Sequence, residues 1–139
     1  MSAAAVAAAT VRDVLIIGGG PAGLSAAIAL SRLVYTATVF DSGVYRNHLV
    51  HHMHTVPTWD HKDPADYRAA IRRDLLARYQ TIDFEDVAVE SVQKTDDGLF
   101  KLVDAKKKEW LGRKVILATG VKDIMPDIPG YEDCWTKGM

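Results

Sequence analysis

A chain of 139 residues falls in the single-domain range, and its 48% hydrophobic content supplies enough apolar material for a core. A formal net charge of −1, with both signs spread along the chain, excludes the basic stripe that marks nucleic-acid binding. Apolar runs fall short of the roughly 18 residues that span a bilayer, and the single Cys134 excludes an intrachain disulfide, a CxxC pair or a cysteine-built zinc site.

The opening MSAAAVAAAT has no basic start and no arginine, so it reads as neither a secretory signal nor a mitochondrial leader. Residues 1–10 are expected to be a flexible alanine-rich tail, and the expected location is the cytoplasm. Residues 11–17 (VRDVLII) read as a buried parallel strand, short, rich in β-branched side chains and closed by glycines. Ala22–Leu33 follows with apolar residues at helical spacing, and Pro21 suits the first helical turn. Thr36–Phe40 is a second strand, which completes a βαβ unit.

Residues 41–63, rich in Gly, His, Asn and Pro, form a long loop, a length that usually has a functional reason. Asp63 is a plausible N-cap for a helix that starts at Pro64 and runs to about Tyr79. Its expected buried face is Ala69, Ile71, Leu75, Leu76 and Tyr79. From Thr81 the period becomes two, with Val87, Val89 and Val92 alternating with polar residues, and Asp96-Asp97-Gly98 signals a hairpin turn. Leu99–Val103 and Glu109–Leu111 complete a three-strand meander around the solvated turn Lys106–Lys108. Lys114–Ala118 reads as another buried strand, closed by Thr119-Gly120.

Gly18-Gly19-Gly20-Pro21-Ala22-Gly23 fits G-x-G-x-x-G with glycines at 18, 20 and 23. The first lets the strand turn sharply, the second lets a pyrophosphate approach the backbone, and the third lets helix and strand pack closely. The helix N-terminus offers free N–H groups and partial positive charge to phosphates. The confirming context is a preceding strand, a following helix and an acid at the end of the next strand; here that acid is Asp41. A carboxylate there accepts hydrogen bonds from ribose hydroxyls and repels a 2′-phosphate, which favours the ADP half of FAD or NAD over NADP. The polar meander, in place of helical connections, and the ATG at the end of the last strand favour FAD.

The segments DVLIIGGGPAGLSAAIAL, VFDSGVYRN, HHMHTVPTWDHKDP and KVILATGVKDIMPDIPGYEDCW together resemble the thioredoxin-reductase-like branch of the two-dinucleotide flavoproteins, the class-II pyridine nucleotide-disulfide oxidoreductases. Within that branch they are most similar to fungal members that oxidise dithiols in secondary-metabolite pathways, including those that close the disulfide of epidithiodiketopiperazine toxins. The resemblance spans residues 12–136. It implies an α/β fold: residues 11–139 as the N-terminal part of an FAD-binding domain, a Rossmann-like βαβ unit with a β-meander crossover. It implies that Gly18, Gly20, Pro21, Ala22 and Gly23 hold the pyrophosphate and that Asp41 binds the adenosine ribose. Ser42, Arg46 and Asn47 would line the same cofactor, His54 and Thr55 the flavin, Val89 the adenine, and Ala118, Thr119 and Gly120 the pyrophosphate and ribitol.

In that family the redox CxxC pair follows shortly after the segment matching GYEDCW, and this sequence stops at Met139 before reaching it. The second nucleotide domain and the returning C-terminal segment of the FAD domain also lie outside the match. The expectation is therefore half a flavin site, with a homodimer or a partner chain completing it. Sedimentation as a stable monomer would contradict that. The substrate class is a small molecule such as a dithiol metabolite, with NADPH or oxygen as the redox partner. The other reading is a cofactor- or ligand-binding protein without thiol redox chemistry.

His48, His51, His52, His54 and His61 fall within 14 residues. Imidazoles are common metal ligands, but no cysteine or ordered acid completes an evident ligand set, so no metal is expected. His54 and His51 are candidates for acid–base work beside a flavin. The plainer reading is a polar loop whose histidines hydrogen-bond backbone or touch the cofactor passively. Trp59, Tyr67 and Trp135 could form a ligand platform, but aromatics of this kind more often belong to the core.

Overall fold

The computed structural model describes residues 10–135, so the alanine-rich tail, Thr10 aside, lies outside the described residues. β1 (Arg12–Ile17), α1 (Pro21–Arg32) and β2 (Ala37–Phe40) make the first crossover, and α2 (Pro64–Arg78) leads on to β3 (Ile82–Glu85). β1 pairs in parallel with β2, and β2 with β3. β4 (Val89–Lys94), β5 (Phe100–Asp104) and β6 (Glu109–Leu117) form the antiparallel meander, and β6 then runs parallel beside β1. The resulting sheet has the order β3-β2-β1-β6-β5-β4, and a short helix, α3 (Tyr131–Cys134), follows it.

β1 is covered on both faces, which is why it reads as a continuous apolar run. Val14 and Ile16 join Leu24 and Ala27 of α1, Ala37 and Val39 of β2, Leu75 of α2 and Ile82 of β3. Leu15 points the other way, into a cluster with Phe40, Val87 and Leu102. There the Trp110 ring meets Phe40 edge-on, centroids 5.3 Å apart. Asp13 fixes the entry into β1, because its carboxylate accepts from both the Thr36 amide (2.9 Å) and the Thr36 hydroxyl (2.7 Å). Those bonds hold the Asp13 carboxyl below its ordinary pKa, and burial opposes them only in part.

Three sequence expectations change. Residues 82–85 are a parallel strand of the main sheet, not the opening of the meander. Ile82 pairs with Ala37 and is buried beneath the helices, while the acids of IDFE give the segment the look of surface. Glu109–Leu111 and all of Lys114–Ala118 but its last residue belong to one strand, β6, which runs straight through Gly112 and ends at Leu117. The half expected to be buried is in fact partly open, with Leu117 73% exposed. On α2 the buried stripe is narrower than expected: Leu75 is buried with Ile71 and Tyr79 packed beside it, while Ala69 and Leu76 face outward. Residues four apart share a helix face, and 71, 75 and 79 satisfy that spacing. Asp63 caps α2 as expected, its carboxylate accepting from the Ala65 amide at 2.7 Å.

Gly112 explains the continuity of β6. A Cβ at this buried position would come within 2.6 Å of Leu15 Cγ and 3.0 Å of its Cδ1. Leu15 is fully buried and cannot swing away. Gly112→Ala is therefore expected to cost about 1–3 kcal/mol, the usual penalty of overpacking a core. Urea denaturation followed by tryptophan fluorescence would measure it.

The aromatic residues left open by the sequence act locally. Trp59 meets Tyr67 edge-on at 5.4 Å and fastens the loop to α2, and Trp135 stacks on Tyr131 at 6.2 Å. Lys106, Lys107 and Lys108 form the exposed turn that was expected. Among the described residues no helix is long and apolar enough to cross a membrane.

Candidate functional site

The last residues of β1, β2 and β6 lie side by side: Ile17 is in register with Phe40 on one side and Leu117 on the other. The next residues therefore meet at one edge of the sheet. The Gly18 amide donates to the Phe40 carbonyl (2.9 Å), and the Ala118 amide to the Ile17 carbonyl (2.8 Å). Open α/β sheets bind ligands outside these strand ends, where the chain order changes direction. Here that point is β1, with β2 following on one side and β6 on the other.

The glycines divide the work. Gly18 has φ +117°, and a Cβ there would run into the Ala118 carbonyl. A Cβ on Gly23 would collide with the Gly18 carbonyl, so α1 can seat against β1 only without it. At Gly20 a Cβ would meet nothing within 4 Å, so that side is open. Gly20 is also the N-cap of α1 and makes no side-chain cap bond, which leaves the first-turn N–H groups to an outside acceptor. Pro21 and Ala22 are exposed at the same helix start. The donor set and the open side fit a pyrophosphate.

Gly19, a free position in the motif, has its own reason: a Cβ there would overlap the Asp41 carboxylate. Asp41 is only 8% exposed. Its Oδ1 accepts from the Gly43 amide at 2.9 Å, and its Oδ2 from the Tyr45 hydroxyl at 2.5 Å. A carboxylate has about four acceptor positions, so capacity remains for the hydroxyls of a ribose. Burial, helped by the bond to Asp41, pushes the Tyr45 phenol up to about 12. It stays protonated, and a donor, throughout the neutral range. The Arg68 guanidinium lies 3.7 Å from the Tyr45 ring centroid and donates to Asn47 Oδ1 at 3.1 Å. Sequence reasoning missed Tyr45 and Arg68, because nothing in their spacing ties them to Asp41.

The remaining expected residues are spread around this edge. The Ser42 hydroxyl accepts from the Val44 amide at 3.3 Å. Arg46 Nε donates to Asp123 Oδ2 at 2.8 Å and so links the loop after β2 to the segment after β6. Thr119 and Gly120 are exposed, Gly120 with φ +67°. Val89 sits at the start of β4 and packs on the Leu15–Phe40 cluster.

The two candidate catalytic histidines pair with different acids, and both are exposed. His51 Nδ1 is 3.5 Å from Asp63 Oδ2, at the start of α2. His54 lies in a closed turn in which the Met53 amide donates to the Lys62 carbonyl (2.9 Å) and the His61 amide to the Met53 carbonyl (2.8 Å). Thr55, Thr58 and His61 all have positive φ, so this turn is tightly folded. The Thr55 amide donates to Asp60 Oδ1 at 2.9 Å, and the Thr55 hydroxyl to the His54 carbonyl at 2.6 Å.

A family model described as pyridine nucleotide-disulphide oxidoreductase matches residues 12–138. The chain is 55% identical over 133 residues to thioredoxin reductase aclD of Aspergillus oryzae, covering 95% of this chain and 42% of that protein. It is 54% identical over 124 residues to thioredoxin reductase sirT of Leptosphaeria maculans, covering 88% of this chain and 38% of that protein. An oxidoreductase structure from Agrobacterium tumefaciens matches with a TM-score of 0.83 at 35% identity, over 89% of this chain and 41% of that one. The chain thus spans about two fifths of the length of the curated relatives it matches. The family implies a flavin. With the glycine turn, the buried acid and the β6 terminus gathered at one sheet edge, and a family model covering nearly every described residue, the chain belongs to the pyridine nucleotide-disulphide oxidoreductases, in their thioredoxin-reductase-like branch.

Proposed function

We propose that this chain is the FAD-binding portion of a thioredoxin-reductase-like oxidoreductase serving a fungal secondary-metabolite pathway, with a small dithiol or disulfide as substrate. The observation that carries the reading is the glycine turn. Gly18 and Gly23 are closed by backbone, Gly20 is open, and Asp41 lies buried alongside. In this reading the first-turn amides of α1 hold the pyrophosphate, and Asp41, steadied by Tyr45 and Gly43, accepts the ribose hydroxyls. Ser42, Arg46, Asn47, His54 and Thr55 line the loop side, Val89 the adenine, and Ala118, Thr119 and Gly120 the side of β6. When bound, the flavin would supply a two-electron acceptor for a dithiol, which becomes a disulfide as two protons leave and oxygen takes the electrons onward, or it would carry electrons the other way, from NADPH to a disulfide. Leu117, Val121, Ile124 and Ile128 are exposed at and beyond the end of β6. In this reading they are apolar side chains that a second copy or a completing segment would cover, since exposed apolar surface invites association.

The test is the visible spectrum of the purified chain after gel filtration, first without added flavin and then on titration with FAD. Uptake approaching one flavin per chain is expected. A colourless protein that also fails to take up FAD would sink the reading.

A further inference from the structure

We propose that His54, Asp60 and His61 form a binding site for a divalent cation of the zinc class, held by two imidazoles and one carboxylate. Asp60 and His61 follow His54 by six and seven positions and meet it because the backbone closes on itself between Met53 and Lys62. One ligand atom from each lies within 4.8 Å of the other two. His54 Nδ1 is 3.6 Å from Asp60 Oδ1, and His61 Nε2 is 3.3 Å from Asp60 Oδ2. Four ligands at bond lengths of about 2.0 Å around a tetrahedral zinc stand about 3.3 Å from one another. Here the two imidazoles face different oxygens of the one carboxylate, and a shared ion would draw one atom of each residue from within 4.8 Å to that spacing. The two rings are edge to face with centroids 4.7 Å apart, which leaves each nitrogen room to turn toward a shared ion. Asp60 is also held from behind by the Thr55 amide, the outer-shell bond that orients ligating carboxylates.

The ligand chemistry selects the ion. Two imidazoles favour zinc, copper, nickel or cobalt over magnesium and calcium, which prefer oxygen ligands. All three residues are exposed, so the fourth position opens to solvent and takes a water. The acid that the sequence could not supply is Asp60, adjacent to His61 in the chain but turned to face His54 as well. This inference shares His54 and Thr55 with the flavin reading but does not depend on it, and its test works on the chain without cofactor.

The experiment is titration of the full chain with Co2+, followed by its d–d absorption, and with Zn2+ by calorimetry. The variants are His54→Ala, His61→Ala, Asp60→Asn and the triple replacement His48→Ala, His51→Ala, His52→Ala. One cation per chain is expected. Each of the first two variants should weaken it by at least about a hundredfold and Asp60→Asn, which keeps an amide oxygen, by at least about tenfold, since loss of an outer-shell partner alone costs about 10–100-fold. The triple variant should bind as the parent does. His48 already bonds the Tyr45 carbonyl and His51 sits beside Asp63, so these are the competing sites on the same loop. Circular dichroism shows whether each variant is folded, and Asp60→Asn keeps the Thr55 bond if the alanines disturb the turn. Failure to bind either cation, or binding that survives loss of His54 and His61 and disappears with the triple variant, would overturn the proposal.

Discussion

Gly20→Val is expected to leave the chain folded while weakening FAD uptake at least about a hundredfold, whereas Gly23→Ala is expected to damage the fold itself. The two glycines lie three positions apart in one turn and differ in what surrounds the missing side chain. At Gly20 a Cβ meets nothing within 4 Å, and its φ of −76° and ψ of −177° suit any residue. Valine is a poor N-cap, so a helix cost of about 1 kcal/mol is expected there. In this reading the new side chain fills the space that brings a pyrophosphate to the α1 amides. A hundredfold loss of affinity corresponds to about 2.7 kcal/mol. At Gly23 the added methyl meets the Gly18 carbonyl, which belongs to the backbone and cannot rotate aside. Either α1 lifts from β1 or the turn deforms, at about 3 kcal/mol, the upper end of overpacking penalties. That is a large fraction of the 5–15 kcal/mol by which domains are typically stable. Urea unfolding and flavin titration of both variants separate the effects. Equal loss of stability in both would contradict the division of roles, as would undiminished FAD uptake by Gly20→Val.

Asp104→Ala is expected to destabilise the chain by about 2–4 kcal/mol through stranded donors rather than a lost charge pair. Asp104 is 1% exposed at the end of β5. Its Oδ1 accepts from the Lys106 amide (2.8 Å) and the Lys108 amide (3.0 Å), and its Oδ2 from the Trp110 indole N–H (2.9 Å). One carboxylate therefore ties the β5–β6 turn to the ring that packs on Phe40. Burial raises the Asp104 pKa, but the bonds from Trp110, Lys108 and Lys106 outweigh it and hold the group below its ordinary 3.8. A lowered folded-state pKa means that the unfolded chain binds the proton first. The stabilisation is then complete above pH 3.8 and is lost as pH falls below that through the folded value. The parent should therefore lose stability in acid more steeply than Asp104→Ala. Parallel acid limbs in the two proteins would remove Asp104 from this account.

The glycine turn is legible along the chain, but the acid that organises the meander is not. In the sequence, Asp104 stands between Val103 and a lysine-rich turn and looks like ordinary surface. Only the pairing of β5 with β6 brings Trp110 beneath it. Gly112 misled for a similar reason. Glycine inside a strand pattern suggests an interruption, yet here it lets β6 continue because Leu15 of the neighbouring strand needs the space. The histidine loop reads as metal-free in the sequence, and only its backbone path sets Asp60 between two imidazoles, since the turn from Met53 to Lys62 depends on positive φ at residues that rarely adopt it.

Legible along the chain are the βαβ unit and its glycine turn, because each requirement there is met by residues close in sequence. The strand ends in glycine, the helix begins at Pro21, and the acid closes the next strand. The tertiary structure decided which residues share the site: Gly19 under Asp41, Tyr45 as its donor, Ala118 against Gly18, and Asp60 between two histidines. Those contacts arise from strand register and loop closure, where groups meet across space through pairings that local periodicity does not encode.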